Sequence, residues 1–218
     1  MADKRISVLI SGRGSNLGAL LEAQSATALG GRIVRVVSSR GDAPGLALAR
    51  THGVETAIVD PRAHATRDAF DAMLADTVRA CQPDLVVLAG FMRVLGAAFV
   101  REFEGRLINI HPSLLPLYPG LHTHRRALAD GVRVHGCTVH FVTQDVDVGP
   151  IIAQGAVGVR DDDDEGSLAA RVLDVEHVLL PAAVRWFCAG QLVIAGNRVR
   201  VSGLSGPARE ATMLVPPE

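Results

Sequence analysis

Strand and helix signals alternate through the first hundred residues of this 218-residue chain. Apolar runs typical of strands lie at residues 6–10, 33–37, 56–59 and 85–88, and helical patterns separate them at 17–24, 43–52 and 66–80. The last of these runs is apolar throughout, which is typical of a strand buried on both faces. Strands that alternate with helices join through right-handed crossovers. The pattern therefore predicts an α/β fold with an open, mostly parallel twisted sheet and helices on both faces.

The pattern changes after residue 111. Apolar runs at 138–143 and 151–159 are separated by a segment too short for a crossover helix, so these two strands should pair antiparallel. A long helix is predicted over residues 165–188. We therefore expect antiparallel strands toward the C-terminal part of the sheet.

The end of the chain carries a hairpin signal. Gly196-Asn197 lies between two short apolar runs, 192–195 and 198–201, and this dipeptide is typical of a tight turn between strands. We expect one domain over residues 1–205 and a flexible C-terminal tail over residues 206–218.

Composition limits the classes of function. The formal net charge is −1, so nothing indicates the basic surface that binding to nucleic acid requires. No apolar stretch reaches the roughly 20 residues of a membrane span, and the N-terminus lacks the apolar region of a signal peptide. The three cysteines, Cys81, Cys137 and Cys188, lie far apart, as is typical of a reduced compartment. We expect a cytoplasmic protein that binds small molecules, with neither nucleic acid nor a membrane as partner.

A glycine-rich turn, Gly12-Arg13-Gly14-Ser15-Asn16, lies between the first predicted strand and helix. Backbone N–H groups at such a turn bind anions, and Ser15 and Asn16 add donors. Leu17 occupies the third glycine position of a dinucleotide fingerprint, and a P-loop ending is absent. This anion turn (residues 12–16) therefore favours one phosphate monoester. A tight turn that only caps the helix is the alternative.

Residues 108–116 place an amide and an imidazole two positions apart at the end of an apolar run. Strand side chains alternate, so Asn109 and His111 should share a face, at the sheet edge where open α/β folds bind ligands. The 145–150 segment supplies acidic side chains, and a carboxylate beside an imidazole favours its charged form. An amide and an imidazolium together can stabilise an oxyanion. A hydrogen-bonded core pair without function is the alternative.

The remaining histidines carry weaker signals. His122 and His124 have alternating spacing, but no Asp, Glu or Cys stands at matching local spacing. Polar loop positions or substrate contacts are therefore favoured over a metal site, and no metal is predicted. His135 and His140 are expected only at surface or strand positions.

Two acidic features lie around the last long helix. Glu176 falls on an apolar stripe of this helix, where it should lie at the edge of burial or meet a ligand amine. The acidic run over residues 161–165 should form a solvated loop, and it suits the N-terminus of the helix that follows.

Five segments, at residues 12–17, 88–93, 109–116, 118–124 and 136–142, have a common resemblance. They resemble the phosphoribosylglycinamide formyltransferases, folate-dependent enzymes of purine biosynthesis, and the match runs in order over residues 6–200. The Asn-x-His-Pro-Ser-Leu-Leu-Pro core is shared by folate-dependent formyl transferases and hydrolases. The Ala-Gly-Phe-Met-Arg and Tyr-Pro-Gly-Leu-His-Thr-His segments narrow the resemblance to this branch.

The resemblance implies a Rossmann-like formyltransferase fold that is monomeric or homodimeric. It also implies 10-formyltetrahydrofolate as co-substrate, glycinamide ribonucleotide as acceptor, and no metal. The implied catalytic residues are Asn109, His111 and Asp147. The residues implied for the ribonucleotide are Gly14, Ser15, Asn16 and Glu176. Those implied for the folate are Arg67, Met92, Arg93, Val94, Leu95 and Asn109.

Three other functions remain open at this point. A formyltetrahydrofolate hydrolase would use water in place of the amine, but it would have no phosphorylated acceptor for the anion turn to bind. A formyltransferase acting on initiator tRNA would need a basic RNA surface and a further domain. A regulatory domain with an inactive site is the third alternative, although Asn109, His111 and Asp147 are all present.

Overall fold

The computed structural model describes residues 3–203, and the tail predicted over residues 206–218 lies outside this range. The strands are β1 (Lys4–Ile10), β2 (Gly31–Ser38), β3 (Glu55–Ile58), β4 (Leu85–Leu88), β5 (Leu107–His111), β6 (Val134–Phe141), β7 (Ile151–Gly158), β8 (Leu192–Ala195) and β9 (Arg198–Val201). The helices are α1 (Ser15–Ser25), α2 (Pro44–Thr51), α3 (Arg67–Arg79), α4 (Ala97–Glu102), α5 (Thr123–Ala129) and α6 (Glu165–Cys188).

The strands form one mixed sheet in the order β3-β2-β1-β4-β5-β6-β7-β9-β8. The first five strands are mutually parallel, whereas β6 runs antiparallel to both β5 and β7, and β8 pairs antiparallel with β9. The predicted sheet, mostly parallel with antiparallel strands toward its C-terminal part, is therefore confirmed. The strand order reverses between β1 and β4, so the loops after these two strands meet at a topological switch point.

Two apolar clusters cover the two faces of the sheet. Ile6, Val8 and Ile10 of β1 belong to one cluster, together with the apolar residues of α1 and α6. Leu9 belongs to the other cluster, which contains the apolar residues of α3 and α4. Because side chains alternate along a strand, helices cover both faces, as the sequence predicts.

Local sequence explains where two helices begin. Thr66 caps α3 by accepting a hydrogen bond from the N–H group of Ala69 at 3.1 Å. Asp164 caps α6, where its carboxylate and the hydroxyl of Ser167 form a capping box. Both helices were predicted to within one residue at each end.

Asp161, Asp162 and Asp164 of the acidic run before α6 are exposed as predicted, and only Asp163 differs. The carboxylate of Asp163 is buried against the guanidinium of Arg171, with one N–O distance of 2.7 Å. Hydrogen bonds from Arg171 hold the pKa of Asp163 well below its ordinary value. Because Arg171 lies two turns into α6, it can reach back to this residue and bury it.

Several boundaries differ from the sequence-based prediction. β6 begins at Val134 rather than at residue 138, because residues 134–137 also pair with β7. A Cβ atom at Gly136 would lie 1.9 Å from the carbonyl oxygen of Gly155, so glycine allows this close pairing. The short helices α4 and α5 were not predicted. No helix within residues 3–203 is long and apolar enough to cross a membrane.

Candidate active site

Asn109 lies on β5 directly opposite His140 of β6, and the two side chains meet on one face of the sheet. Asn109 Nδ2 is 3.2 Å from His140 Nε2, and His140 Nδ1 is 3.0 Å from the carbonyl oxygen of Phe141. Burial lowers the pKa of His140, which is 1% exposed, so its ring is neutral at neutral pH. Its Nδ1 therefore donates to the carbonyl, and its Nε2 accepts from Asn109. This bond orients the amide and leaves the second N–H of Asn109 for a ligand.

His140 was expected only at a surface or strand position, and it does lie on a strand, β6, but its part in the site was not predicted. The signal that identifies it is the register of β6 against β5, which sequence periodicity does not supply. Its burial and its bond to Asn109 make it part of the candidate active site.

His111 ends β5 and is buried, and both of its ring nitrogens face acceptors. Nε2 donates to the carbonyl oxygen of Tyr118 at 2.9 Å, and Nδ1 is 3.4 Å from Oδ2 of Asp147. A carbonyl and a carboxylate can only accept hydrogen bonds, so an N–H group on either ring nitrogen of His111 faces an acceptor.

Asp147 lies in the loop between β6 and β7, with its carboxylate between the two histidine rings. Oδ2 accepts the N–H group of Gly120 at 2.8 Å and faces His111, while Oδ1 is 3.7 Å from Nε2 of His140. The backbone of Asp147 has a left-handed φ of 58°. Aspartate adopts this conformation more readily than most residues, and such backbone strain clusters at functional sites.

The turn after His111 is held by side chains of β6 and β7. The hydroxyl of Thr138 donates to the carbonyl of Ser113 at 2.7 Å and accepts the N–H group of Leu115 at 3.0 Å. Gln154 donates to the carbonyl of Leu115 at 2.8 Å and to Thr138 at 3.0 Å. These bonds fix the segment that carries the Tyr118 carbonyl, the acceptor for His111.

The anion turn connects β1 to α1 at the switch point. Gly14 has a φ of 80°, and a Cβ atom there would lie 2.8 Å from the Cα of Gly45 in α2. The N–H group of Gly45 donates to the carbonyl of Gly12 at 3.2 Å, which holds the turn against α2. Only glycine fits at position 14, and α1 begins at the next residue, Ser15.

Glu176 of α6 reaches the start of α1, where its Oε2 accepts a 2.7 Å hydrogen bond from Nδ2 of Asn16. It is 6% exposed, so the expectation of a position at the edge of burial is wrong. The packing of α6 against α1 in one apolar cluster buries it. Burial raises the pKa of Glu176, and the bond from Asn16 opposes this in part. Oδ1 of Asn16 is buried without a hydrogen-bond partner among the described residues.

The loop after β4 (residues 90–96) carries most of the residues predicted to bind the folate. A pocket of about 390 Å³ is lined by Pro61, His64, Ala65, Thr66, Arg67, Phe70, Arg93 and Val94. It therefore brings together Arg67, Arg93 and Val94. Met92 is 66% exposed beside them, whereas the side chain of Leu95 packs into the core and does not line this pocket.

His124 and His135 form a contacting pair. Nε2 of His135 is 3.2 Å from Nδ1 of His124, and His135 lies on β6 at 1% exposure, so of the two expected positions the structure shows the strand one. Burial, with a smaller contribution from His124, lowers the pKa of His135 to about 4. His122 is exposed. Among the described residues, no three His, Cys, Asp or Glu side chains are grouped as ligands for a metal ion.

The fold and site define a Rossmann-like α/β protein with a polar, ligand-facing edge at its switch point. Residues 4–184 match the formyl transferase family, and the chain belongs to this family. It is 46% identical over 198 residues to the phosphoribosylglycinamide formyltransferase of Escherichia coli, covering 91% of this chain and 93% of that protein.

Two solved structures of formyl-transfer and deformylase enzymes have the same fold as this chain. Glycinamide ribonucleotide transformylase 1 from Symbiobacterium toebii has a TM-score of 0.90 at 50% identity, covering 91% of this chain and 94% of that one. A formyltetrahydrofolate deformylase from Pseudomonas syringae has a TM-score of 0.85 at 29% identity, covering 91% of this chain and 66% of that one. The resemblance stated from the sequence is therefore confirmed, and the fold is shared with a deformylase.

Proposed function

We propose that this protein transfers the formyl group of 10-formyltetrahydrofolate to the amino group of glycinamide ribonucleotide, a step of purine biosynthesis. The observation that carries the proposal is the convergence of Asn109, His111 and Asp147 beside the switch point, where the anion turn begins. The names of the E. coli and S. toebii relatives support the choice of acceptor.

The chemistry needs stabilisation of one developing charge. The acceptor amine attacks the formyl carbon and forms a tetrahedral oxyanion, which collapses as the bond to N10 of the folate breaks. The free N–H of Asn109 donates to this oxyanion. His111 stabilises it by its charge and by exchanging the Tyr118 carbonyl for the oxyanion as acceptor of its Nε2–H. Asp147 keeps the ring of His111 protonated and oriented.

One proton must also move from the attacking amine to the departing folate nitrogen. Two routes are consistent with the geometry, one through His111 and one through a water molecule held by Asp147. In both routes the new C–N bond forms, the C–N10 bond breaks, and the proton lost by the amine is regained by N10. No covalent enzyme intermediate is needed, because the amine is itself the nucleophile.

The two substrates occupy different loops in this proposal. The phosphate of the ribonucleotide binds the N–H groups of Gly14, Ser15 and Asn16, and Glu176 lies where it can bind the acceptor amine. The folate binds along the 90–96 loop, where Arg67 and Arg93 of the pocket can pair with its carboxylates. We propose no metal cofactor and a cytoplasmic location, which the unpaired thiols of Cys81, Cys137 and Cys188 support.

The alternative function is hydrolysis of formyltetrahydrofolate, which the fold shared with the P. syringae deformylase keeps in consideration. Both reactions need an oxyanion site, but only the transferase needs to bind a phosphorylated amine. The anion turn therefore favours the transferase.

The test is to supply both substrates and to identify the product by mass spectrometry. The proposal predicts the formylated ribonucleotide, in an amount equal to the tetrahydrofolate released. Formate in place of the formylated ribonucleotide would assign the protein to the hydrolases. The Asp147→Ala variant is the control, and it should form neither product at a comparable rate.

A further inference from the structure

Ser11 is the first residue after β1, and its polar groups contact two other strand ends. Its N–H donates to the carbonyl of Gly90 at 3.1 Å, and its Oγ accepts the N–H of Met92 at 2.9 Å. Oγ is also 2.7 Å from Oγ of Ser39, at the end of β2. Ser11 is 7% exposed, and its contact with Ser39 is buried.

These contacts join two ligand-facing segments. Ser11 directly precedes the anion turn, and Gly90 and Met92 belong to the 90–96 loop. Because β1 and β4 are neighbours at the switch point, Ser11 alone connects the start of the anion turn to the 90–96 loop through these bonds. The acceptor of the Met92 N–H group therefore lies one residue before the anion turn, and a backbone N–H group has a strong requirement for an acceptor.

The other end of the 90–96 loop is held differently. Oδ2 of Asp71, on α3, accepts the N–H group of Gly96 at 2.8 Å and lies 3.7 Å from Arg67. Both of these partners are on the folate side of the proposed site. Asp71 therefore holds the Gly96 end of the loop to α3. Ser11 holds the Met92 end to the residue that precedes the anion turn.

We propose that Ser11 is a positioning residue that couples the two substrate sites, so that binding of the phosphorylated acceptor orders the 90–96 loop for the folate. This inference rests on the proposed function, because it needs one ligand at each segment. Ser11 itself touches neither ligand in this account. By linkage, the folate must strengthen acceptor binding by the same factor by which the acceptor strengthens folate binding.

The coupling is measured with glycinamide ribonucleotide and tetrahydrofolate, which lacks the formyl group and so allows no turnover. Calorimetry gives the Kd of the ribonucleotide alone and with saturating tetrahydrofolate, and the ratio of the two is the coupling factor. We expect a factor of about fivefold or more for the wild-type protein, a typical value for coupled sites. Ser11→Ala should lower this ratio toward one, because it removes the acceptor of the Met92 N–H group while the backbone bond from Ser11 to Gly90 remains.

Ser39→Ala is the matched control. It removes a hydroxyl of the same kind, equally buried and bonded to the same Ser11 oxygen, but it leaves the bond from Met92 in place. It should therefore keep the wild-type coupling factor. A purely structural role of Ser11 would lower stability or both affinities without changing their ratio, and an unchanged ratio in Ser11→Ala overturns the inference.

A second measurement needs no variant. Hydrogen exchange at the Met92 amide of the wild-type protein should slow when glycinamide ribonucleotide alone is added, and an unchanged exchange rate overturns the inference even if Ser11→Ala does not fold. The two proposals fail in different ways. If wild-type protein binds neither ligand, the proposed function is wrong, whereas if it binds both with a ratio of one, only the coupling is wrong.

Discussion

Replacing Glu176 by Gln should make the protein more stable at pH 8 while weakening its affinity for the acceptor. The side chain is 6% exposed, and its carboxylate has one hydrogen-bond partner, Nδ2 of Asn16 at 2.7 Å. Glutamine has the same size, and its carbonyl oxygen can accept the same bond. The substitution therefore removes the buried charge with little change in packing.

The direction of the stability change, and its dependence on pH, follow from linkage. Burial raises the pKa of Glu176 above its ordinary value of 4.5, so the folded state binds this proton more tightly than the unfolded state. The free energy of unfolding therefore falls as the pH rises from 4.5 through the raised value, by about 1.4 kcal/mol for each unit of pKa difference. Replacing the charged acceptor of Asn16 by a neutral one weakens this hydrogen bond and reduces the gain by about 1 kcal/mol. We expect a net gain in the free energy of unfolding at pH 8, measured as a higher Tm.

Urea or thermal unfolding of both proteins at pH 5 and pH 8 measures this difference. The stability difference should be small at pH 5 and largest at pH 8, and other titrating groups cancel because both proteins share them. In the same variant, the KM for glycinamide ribonucleotide should rise by about tenfold or more, because the amine loses a buried charged partner. A variant that is less stable at pH 8, or whose stability difference does not change with pH, would refute the reasoning.

Three further predictions concern the histidines and their partners. His111→Ala and Asp147→Ala should each lower kcat about a hundred- to thousandfold with nearly unchanged thermal unfolding, and near-normal turnover of either would contradict the assigned roles. His140→Ala should lower kcat by about tenfold, through loss of the bond that orients Asn109, and an unchanged kcat argues against that role. The free energy of unfolding should fall by up to about 3 kcal/mol as the pH drops from 6.5 toward 4, because the pKa of His135 is lowered from 6.5 to about 4 and the unfolded chain gains the proton first. Urea titrations across this range check it, and a smaller loss is expected in His135→Gln.

The sheet could be predicted because its signals are local. The alternation of apolar runs with helical patterns is visible within short windows, and it places β1 to β4 and α3 in order. The short helices α4 and α5 were missed because one or two turns carry too few residues for a periodic pattern. The earlier start of β6 was missed because it depends on pairing with a distant strand rather than on its own composition.

The same distinction applies to the site. Asn109 and His111 could be placed on one face from the period of a strand alone. The contact between Asn109 and His140 depends on the register of β5 against β6, and the contact between Asn16 and Glu176 depends on how α1 packs on α6. Contacts of this kind join residues far apart in the sequence, so no local pattern contains them. They appear only once the elements are assembled.

The most direct test of the central claim is the acceptor dependence of folate release. The protein is incubated with 10-formyltetrahydrofolate, with and without glycinamide ribonucleotide, and the appearance of tetrahydrofolate is followed by absorbance. The account predicts rapid release only when the ribonucleotide is present, because its amine is the nucleophile and the anion turn positions it. Release at the same rate without the ribonucleotide would show that water is the nucleophile, and it would contradict the assignment of this site to formyl transfer.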